Sequence, residues 1–579
     1  MSEVHFEIYR QQQGAGSWSL VESLENRDQA LERARRMLSE GRATAAKVVK
    51  ESFDPKTGGY VSLTLFEEGR VNTKKKNTKI DELDDLPACD TADDLYSESS
   101  RALIARTLGE WLAHNKLTVT ELLHSASALQ KLDSQGMTLQ HAVQKIAVAR
   151  AFDSEKPVTQ FIRQLNELCS AGIRRVYKDD KSGLFDGGAA GTFRALVETI
   201  ANKPDAAYRL NGVIAKNLKP ATTWDAKLVL LLALMTELPD DDGPKHLLLT
   251  AIDSLVSEIL ATPAALADLL GPNPDLGHAL LALSALFLGE ESAERLPSAN
   301  VLAGYFKRDM LSEARATTAA RLLSELRSMK RLCPQSWDKE LTLLRRLANT
   351  LARASGKYLL HEDVIETFTE RSRRFVAHEP LFQYLQDARS VDEKVGRLLA
   401  AETKIVGAES KRELATFILP LISLHAFEEQ LGAGVLAKLK RVAELQNRVL
   451  RSGFQDVQKN QLVSALDAVA KTIEECAKLF SSIETRFADP VERAQALLKL
   501  ASAGALAMGE VQTKARRVMM ATLGTPDFFS AYVARQQKDK GASHSNDMIL
   551  QELTVALRAF GLSYEEALRT LKIENVVLI

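Results

Sequence analysis

Long hydrophobic runs are missing from this chain of 579 residues. The two most apolar stretches, LVLLLALM (228–235) and HALLALSALFLG (278–289), fall far short of the ~20 residues a membrane-spanning helix needs. They read as helices buried on most sides, and no membrane span is expected. The opening MSEVHFEIYR lacks the basic-then-apolar order of a signal peptide. Cysteine is scarce: Cys89, Cys169, Cys333 and Cys476 lie far apart and form no CxxC pair. That argues against zinc sites and disulfide frameworks, and for free thiols in a reducing cytosol. An excess of either charge is missing too. With 75 Lys and Arg against 76 Asp and Glu, the field that dominates affinity for nucleic acid is absent, so no nucleic-acid partner is expected. There is no GxxxxGK[ST] and no HExxH, so neither a nucleotide cofactor nor a metal is expected. HEDVIE (361–366) reads instead as the acidic first turn of a helix.

Aromatic residues are only 6% of the chain, whereas leucine and alanine are abundant, a mixture that favours helices. The exception is the beginning. Val4, Phe6 and Ile8, then Trp18 and Leu20, then Val61, Leu63 and Leu65 alternate with polar residues, the period of half-buried strands. Between them NRDQALERARRMLSEG carries a cap at Asn26, an apolar face of Leu31, Ala34 and Leu38, and a stop at Gly41. From about residue 98 the period becomes 3.6. Capping boxes are expected at Thr118/Glu121, Ser390/Glu393, Ser410/Glu413 and Ser563/Glu566. Thr262-Pro263, Asp489-Pro490 and Thr525-Pro526 read as helix starts, and Gly172, Gly356 and Gly453 as stops. The signals predict on the order of twenty helices, irregularly spaced and without the tetratricopeptide, ankyrin or leucine-rich consensus.

The expected fold is α+β by domain. A small ββαββ module (1–68) precedes a charged disordered linker (69–98) and an all-α body (99–534) of stacked bundles or an irregular α-solenoid. A polar hinge (535–547) and a helical tail (548–579) follow. Within the linker, residues 70–80 carry only cations among their charged side chains and residues 81–98 only anions, with Leu83, Leu86 and Leu95 as sparse apolar anchors. Within the body, Leu462, Leu466, Val469, Ile473, Cys476, Phe480, Ile483 and Phe487 follow a 4-3 spacing. With Val435, Leu439, Val442, Leu445 and Val449 they predict a long helical hairpin over 428–487. It is either internal or an arm that forms a homodimer through Leu466, Val469, Ile473, Phe480 and Ile483.

Candidate chemistry is thin. Arg174, Arg175, Lys178 and Lys181, with Gly187, Gly188 and Gly191 ahead of the helix TFRALVETIA, form a candidate anion site over 174–193. Arg371, Arg373 and Arg374 form a candidate docking patch for an acidic segment, for which the linker's acidic half is one source. Glu121 and His124 stand at i and i+3, the spacing used by two-metal carboxylate bundles, but the motif occurs once. No catalytic constellation is complete. The expectation is a cytoplasmic protein-interaction scaffold or regulatory adaptor with a protein partner. A sensor of a small anionic ligand, or an enzyme with a helical-bundle site, is the alternative.

Overall fold

The computed structural model describes residues 4–11, 19–40, 42–54, 59–69, 86, 89–152, 154, 156–187, 192–540 and 545–573. A small antiparallel sheet precedes a large all-helical region, with 28 α-helices among the described residues. The chain divides into two compact units. Unit 1 is Met1–Leu112 with Ser125–Ser182, and unit 2 is Ala113–His124 with Gly183–Ile579.

In unit 1 the strands β1 (Val4–Gln11), β2 (Ser19–Leu24), β3 (Ala45–Asp54) and β4 (Gly59–Gly69) lie in the order β2-β1-β3-β4. Alternation puts Phe6, Ile8, Ala46 and Val48 on one face, opposite Ala30, Ala34 and Met37 of the helix Arg27–Ser39. Leu31 and Leu38, expected at the centre of that helix face, sit at its margin. The small side chains of Ala30 and Ala34 let the backbone approach the sheet, and the helix turns to use them. Asn26 caps it, accepting from the amides of Asp28 and Gln29 at 2.9 and 3.2 Å. Gly41 lies outside the described residues, as do most of 69–88 and the C-terminal ENVVLI.

The helices Met137–Phe152 and Val158–Lys181 pack together around Val143, Ala147 and Leu165. Gly172 does not stop a helix; it lies inside Val158–Lys181. The acidic half of the expected disordered linker is corrected here: Ala92–Tyr96 forms a short 3₁₀ segment packed on that helix. It carries its own cap. Asp94 accepts from the amide and hydroxyl of Thr91 at 2.8 and 2.9 Å and from the Asp90 amide at 3.0 Å.

Unit 2 is organised by a row of six helices, each packed on the next: Asp242–Ala261, Ser312–Arg327, His361–Val376, Ala408–Ile422, Asp456–Ala477 and Glu510–Leu523. From 312 onward their starts recur every 47 to 54 residues. A second helix lies against most members of the row: Leu276–Phe287, Trp337–Ala354, Val391–Glu402, Val435–Arg451 and Pro490–Ser502. This is an irregular stack of helix pairs. Its spacing was hidden in the sequence by short inserted helices such as His378–Leu385 and Leu479–Arg486. One large apolar cluster runs through the unit from Val197 to Leu571.

Polar side chains on one member of the row tie down the start of the next. Asp253 accepts from the amides of Glu313 and Ala314, both at 2.8 Å, where the cap residue Leu311 has no acceptor to offer. Ser372 accepts from the Val406 amide at 2.8 Å, and Asp467 from the Glu510 amide at 2.9 Å. Two of these starts require glycine. Gly407 (φ +97°) and Gly509 (φ +105°) are left-handed, and a Cβ there would meet Thr369 and the Asp467 carboxylate at 2.9 and 2.2 Å.

Several local expectations shift. Thr118/Glu121 and Ser563/Glu566 form reciprocal boxes. Ser390 caps its helix, but Glu393 accepts from the Arg389 amide instead of the Ser390 amide. Ser410 lies inside a helix that starts at Ala408, because Gly407 supplies the turn. Pro526 precedes its helix by two residues, with Asp527 left-handed between them. The 428–487 segment is the pair Val435–Arg451 and Asp456–Ala477, and its heptad seam breaks at Lys478, left-handed at φ +47°.

No single helix among the described residues is long and apolar enough to cross a membrane. The helices Asp242–Ala261 and Pro263–Leu270 satisfy the length and composition of a span only as a pair bent by 90°, and much of their apolar surface lies in the unit 2 core.

Candidate recognition cleft

The tripeptide Ser-Met-Lys after the helix Ser312–Arg327 leaves that helix with unsatisfied terminal carbonyls. Arg371, one helix on in the row, satisfies them. Its guanidinium donates to the carbonyl of Leu326, to Glu325 O at 3.1 Å, to Ser328 O at 3.3 Å and to Lys330 O at 3.0 Å. Arg374 adds bonds of 3.0 Å to the carbonyls of Arg327 and Ser328. Cations at a helix C-terminus complement its dipole. Burial pushes the Arg371 guanidinium down to about 10, with Glu340 and Glu325 opposing the shift, so it stays charged at neutral pH. Arg373 pairs with Glu370 and Glu409, both at 3.3 Å. The expected docking patch is thereby corrected. Arg371 is buried, and Arg371 and Arg374 direct donors at the backbone carbonyls of the helix end, Arg374 pairing with Glu370 as well.

What these arginines build is the wall of a cleft of about 430 Å³. Its apolar floor is Leu332, Trp337, Leu341, Leu344 and Phe375, and Met329, 82% exposed, stands at its edge. Ser336 caps the helix that begins at Trp337. Arg331 lies 3.6 Å above the Trp337 ring and is fixed by Glu340 at 2.7 Å and the carbonyls of Cys333 and Pro334 at 3.2 Å. Phe375 meets Trp337 at 5.5 Å and Tyr384 at 5.4 Å. Burial, aided by Asp338, pushes the Tyr384 hydroxyl above its ordinary range, so it is a neutral donor to Arg397 O at 3.2 Å. Charged side chains in the lining are Lys330, Arg331, Arg371 and Arg374 against Glu340 and Glu379. Every acceptor of Arg371 is an uncharged carbonyl, so its charge is not cancelled by a carboxylate bond. The cleft can hold a bulky apolar side chain beside a negative group.

The expected anion site over 174–193 falls on both units of the chain. Arg174, Lys178 and Lys181 are exposed at i, i+4 and i+7 on unit 1, whereas Arg175 turns the other way, bonded to Asp93, 3.7 Å from Asp179 and 5.4 Å from the Tyr96 ring. Gly187 belongs to unit 2, and Gly188 and Gly191 lie outside the described residues. Asp186, in the same loop, pairs with Lys216.

Glu121 is buried, but its two oxygens take Lys227 Nζ at 2.6 and 2.7 Å and it also accepts from the Thr118 amide. Burial pushes the Lys227 ammonium below its ordinary value, against the pull of Glu121. His124 donates Nδ1–H to Thr120 O at 2.7 Å and packs beside Tyr208 and Phe185 at 4.9 and 6.0 Å. Glu121 is thus engaged by a lysine and His124 by a backbone carbonyl and aromatic rings, which is a structural ion pair and not the carboxylate–histidine pair of a helical-bundle site. Among the described residues no group of three or more His, Cys, Asp or Glu is placed to hold a metal ion.

The dimer seam is corrected as well. Leu466, Ile473, Phe480 and Ile483 are buried within unit 2 and Val469 packs against the same core, so this face is already covered by neighbouring helices of the chain. Sequence reasoning missed the Trp337 cleft entirely. Trp337, Phe375 and Tyr384 share no periodic spacing, and only the stacking of separate helices brings them together.

Comparison with protein-family models, with curated proteins and with solved structures finds no match to this chain.

Proposed function

We propose that the chain is a cytosolic interaction scaffold or adaptor, and that the Trp337 cleft takes an acidic segment of a partner protein anchored by one bulky apolar side chain. The observation that carries this reading is the combination in one cleft of an aromatic floor and the charge of Arg371, whose hydrogen bonds all go to uncharged carbonyls. A desolvated aromatic pocket with an arginine rim is the usual make-up of an interface hot spot. Stacked helix pairs present such pockets along an extended surface, which suits adaptors.

The test is selection of binders from a random-peptide display library on the intact chain. Peptides with a large apolar residue next to Asp or Glu are expected. Met329→Glu and Lys330→Glu alter exposed side chains and leave the fold intact; each is expected to weaken the selected peptides by about tenfold or more, the scale of a hot-spot contact. Selected peptides that are basic, or whose binding ignores both substitutions, would overturn the reading.

A further inference from the structure

A second surface, in unit 1 and independent of the Trp337 cleft, is already occupied by a piece of the chain itself. Helix Val158–Lys181 presents Gly172 and Arg175 on one face. Leu95 lies over Gly172 so closely that a Cβ added there would meet Leu95 Cδ1 at 2.8 Å. One turn on, Arg175 takes the Asp93 carboxylate and stacks against the Tyr96 ring. Gly172 and Arg175 thus make three contacts, with Leu95, Asp93 and Tyr96 of one short segment.

The segment has the properties of a detachable ligand. Asp93 is exposed, and Leu95 and Tyr96 are only half-buried. Part of its shape is held locally, because the Thr91–Asp94 box closes within the segment. Exposed ion pairs hold weakly, and a preformed segment gives up little order on leaving or rebinding.

We propose that the Gly172–Arg175 face is a docking groove for acidic segments of partner proteins carrying a carboxylate, then a leucine two residues on and an aromatic after it, and that residues 91–96 mask it in cis. A tethered segment competes at an effective concentration in the millimolar range. A partner must therefore outbind it or engage Lys178 as well, which is exposed one turn beyond Arg175.

The probe is a fluorescent peptide of residues 91–99, TADDLYSES, added to the full-length chain. Asp93→Lys with Leu95→Ala should unmask the groove, so that the peptide binds this variant at least about tenfold more tightly than the wild type. Adding Arg175→Glu should abolish that binding. Far-ultraviolet dichroism and the melting temperature of the double variant should match the wild type, and amides 91–96 of the wild type should exchange with solvent far faster than those of Val158–Lys181. Absence of peptide binding to the double variant, or binding that survives Arg175→Glu, overturns the groove. Unfolding of the double variant, or slow exchange at 91–96, makes the segment an integral part of unit 1 and overturns the masking.

Discussion

Both units cap helices locally, and unit 2 also secures helices of its row over long distances. In unit 1 the caps are local: Asn26 serves the helix that begins at Arg27, and Thr91 with Asp94 serves the segment Ala92–Tyr96. In unit 2 the helix Ser312–Arg327 has both ends held from elsewhere, by Asp253 sixty residues before one end and by Arg371 beyond the other. Local caps let a segment form alone and leave alone. Remote caps make each helix of the row a condition for the next, which builds a cooperative stack. Buried polar groups of unit 2 such as Asp253 and Ser372 are accordingly used for register.

Breaking the most buried of these locks should give the largest effect. Lys227→Met leaves Glu121 in the core without its counter-ion, and unit 2 should lose roughly 3–5 kcal/mol in urea unfolding. Joint replacement of both partners, Lys227→Met with Glu121→Leu, should recover much of that loss. If the single and double variants are equally unstable, the bridge is not what holds Ala113–His124 in unit 2. Next in size is Leu466→Ala, at roughly 2–5 kcal/mol, because that side chain is fully covered. A chain that kept its stability but changed its elution volume on a sizing column would restore the seam as a dimer face. Asp253→Ala removes a remote cap and should cost about 1–2 kcal/mol, the scale of a lost N-cap. Asn26→Ala, the local counterpart, should act on the module and leave the unfolding midpoint of unit 2 unchanged.

The same difference explains what could be read in the sequence. The strands around Phe6 and Ile8, the Asn26 cap and the Ser563/Glu566 box are written in neighbouring residues, so periodicity and spacing reveal them. The regular row of unit 2 is written in pairs such as Asp253 with Ala314 and Asp467 with Glu510, where nothing in spacing marks the partner. Arg371, Arg373 and Arg374 looked like a surface patch because three adjacent cations are visible and the carbonyls that consume two of them are not. The heptad seam ran on through Lys478 in the sequence because a left-handed lysine carries no glycine or proline signal. Of the candidate sites, the cations of 174–181 were legible, and Arg175 turned toward the Asp93 carboxylate. The aromatic cleft had no signature, since Trp337, Phe375 and Tyr384 meet only through tertiary stacking.

The subtlest contrast concerns two aspartates that do the same work in opposite surroundings. The amide and hydroxyl of Thr91 and the amide of Asp90 hold the exposed Asp94 carboxyl below its ordinary value. Its contribution is present above the ordinary carboxylate pKa and is lost as pH falls through the lower, folded value. Burial pushes the Asp253 carboxyl up, against the bonds from Ala314, Glu313 and Ser312. Between the ordinary and the raised value the folded state holds more proton than the unfolded one, so this group's contribution falls as pH rises through that window. Acidification should therefore loosen Ala92–Tyr96 while the Asp253 group alone opposes the acid unfolding of unit 2. Amide exchange across an acid pH series reads both. In the wild type, protection at 91–96 should fall first, and Asp94→Asn should make it low at every pH. Asp253→Asn should remove one opposing contribution and steepen the acid limb of unit 2 unfolding. If the two variants shifted their limbs in the same direction, the distinction between a local exposed cap and a remote buried one would fail at the level of its charges.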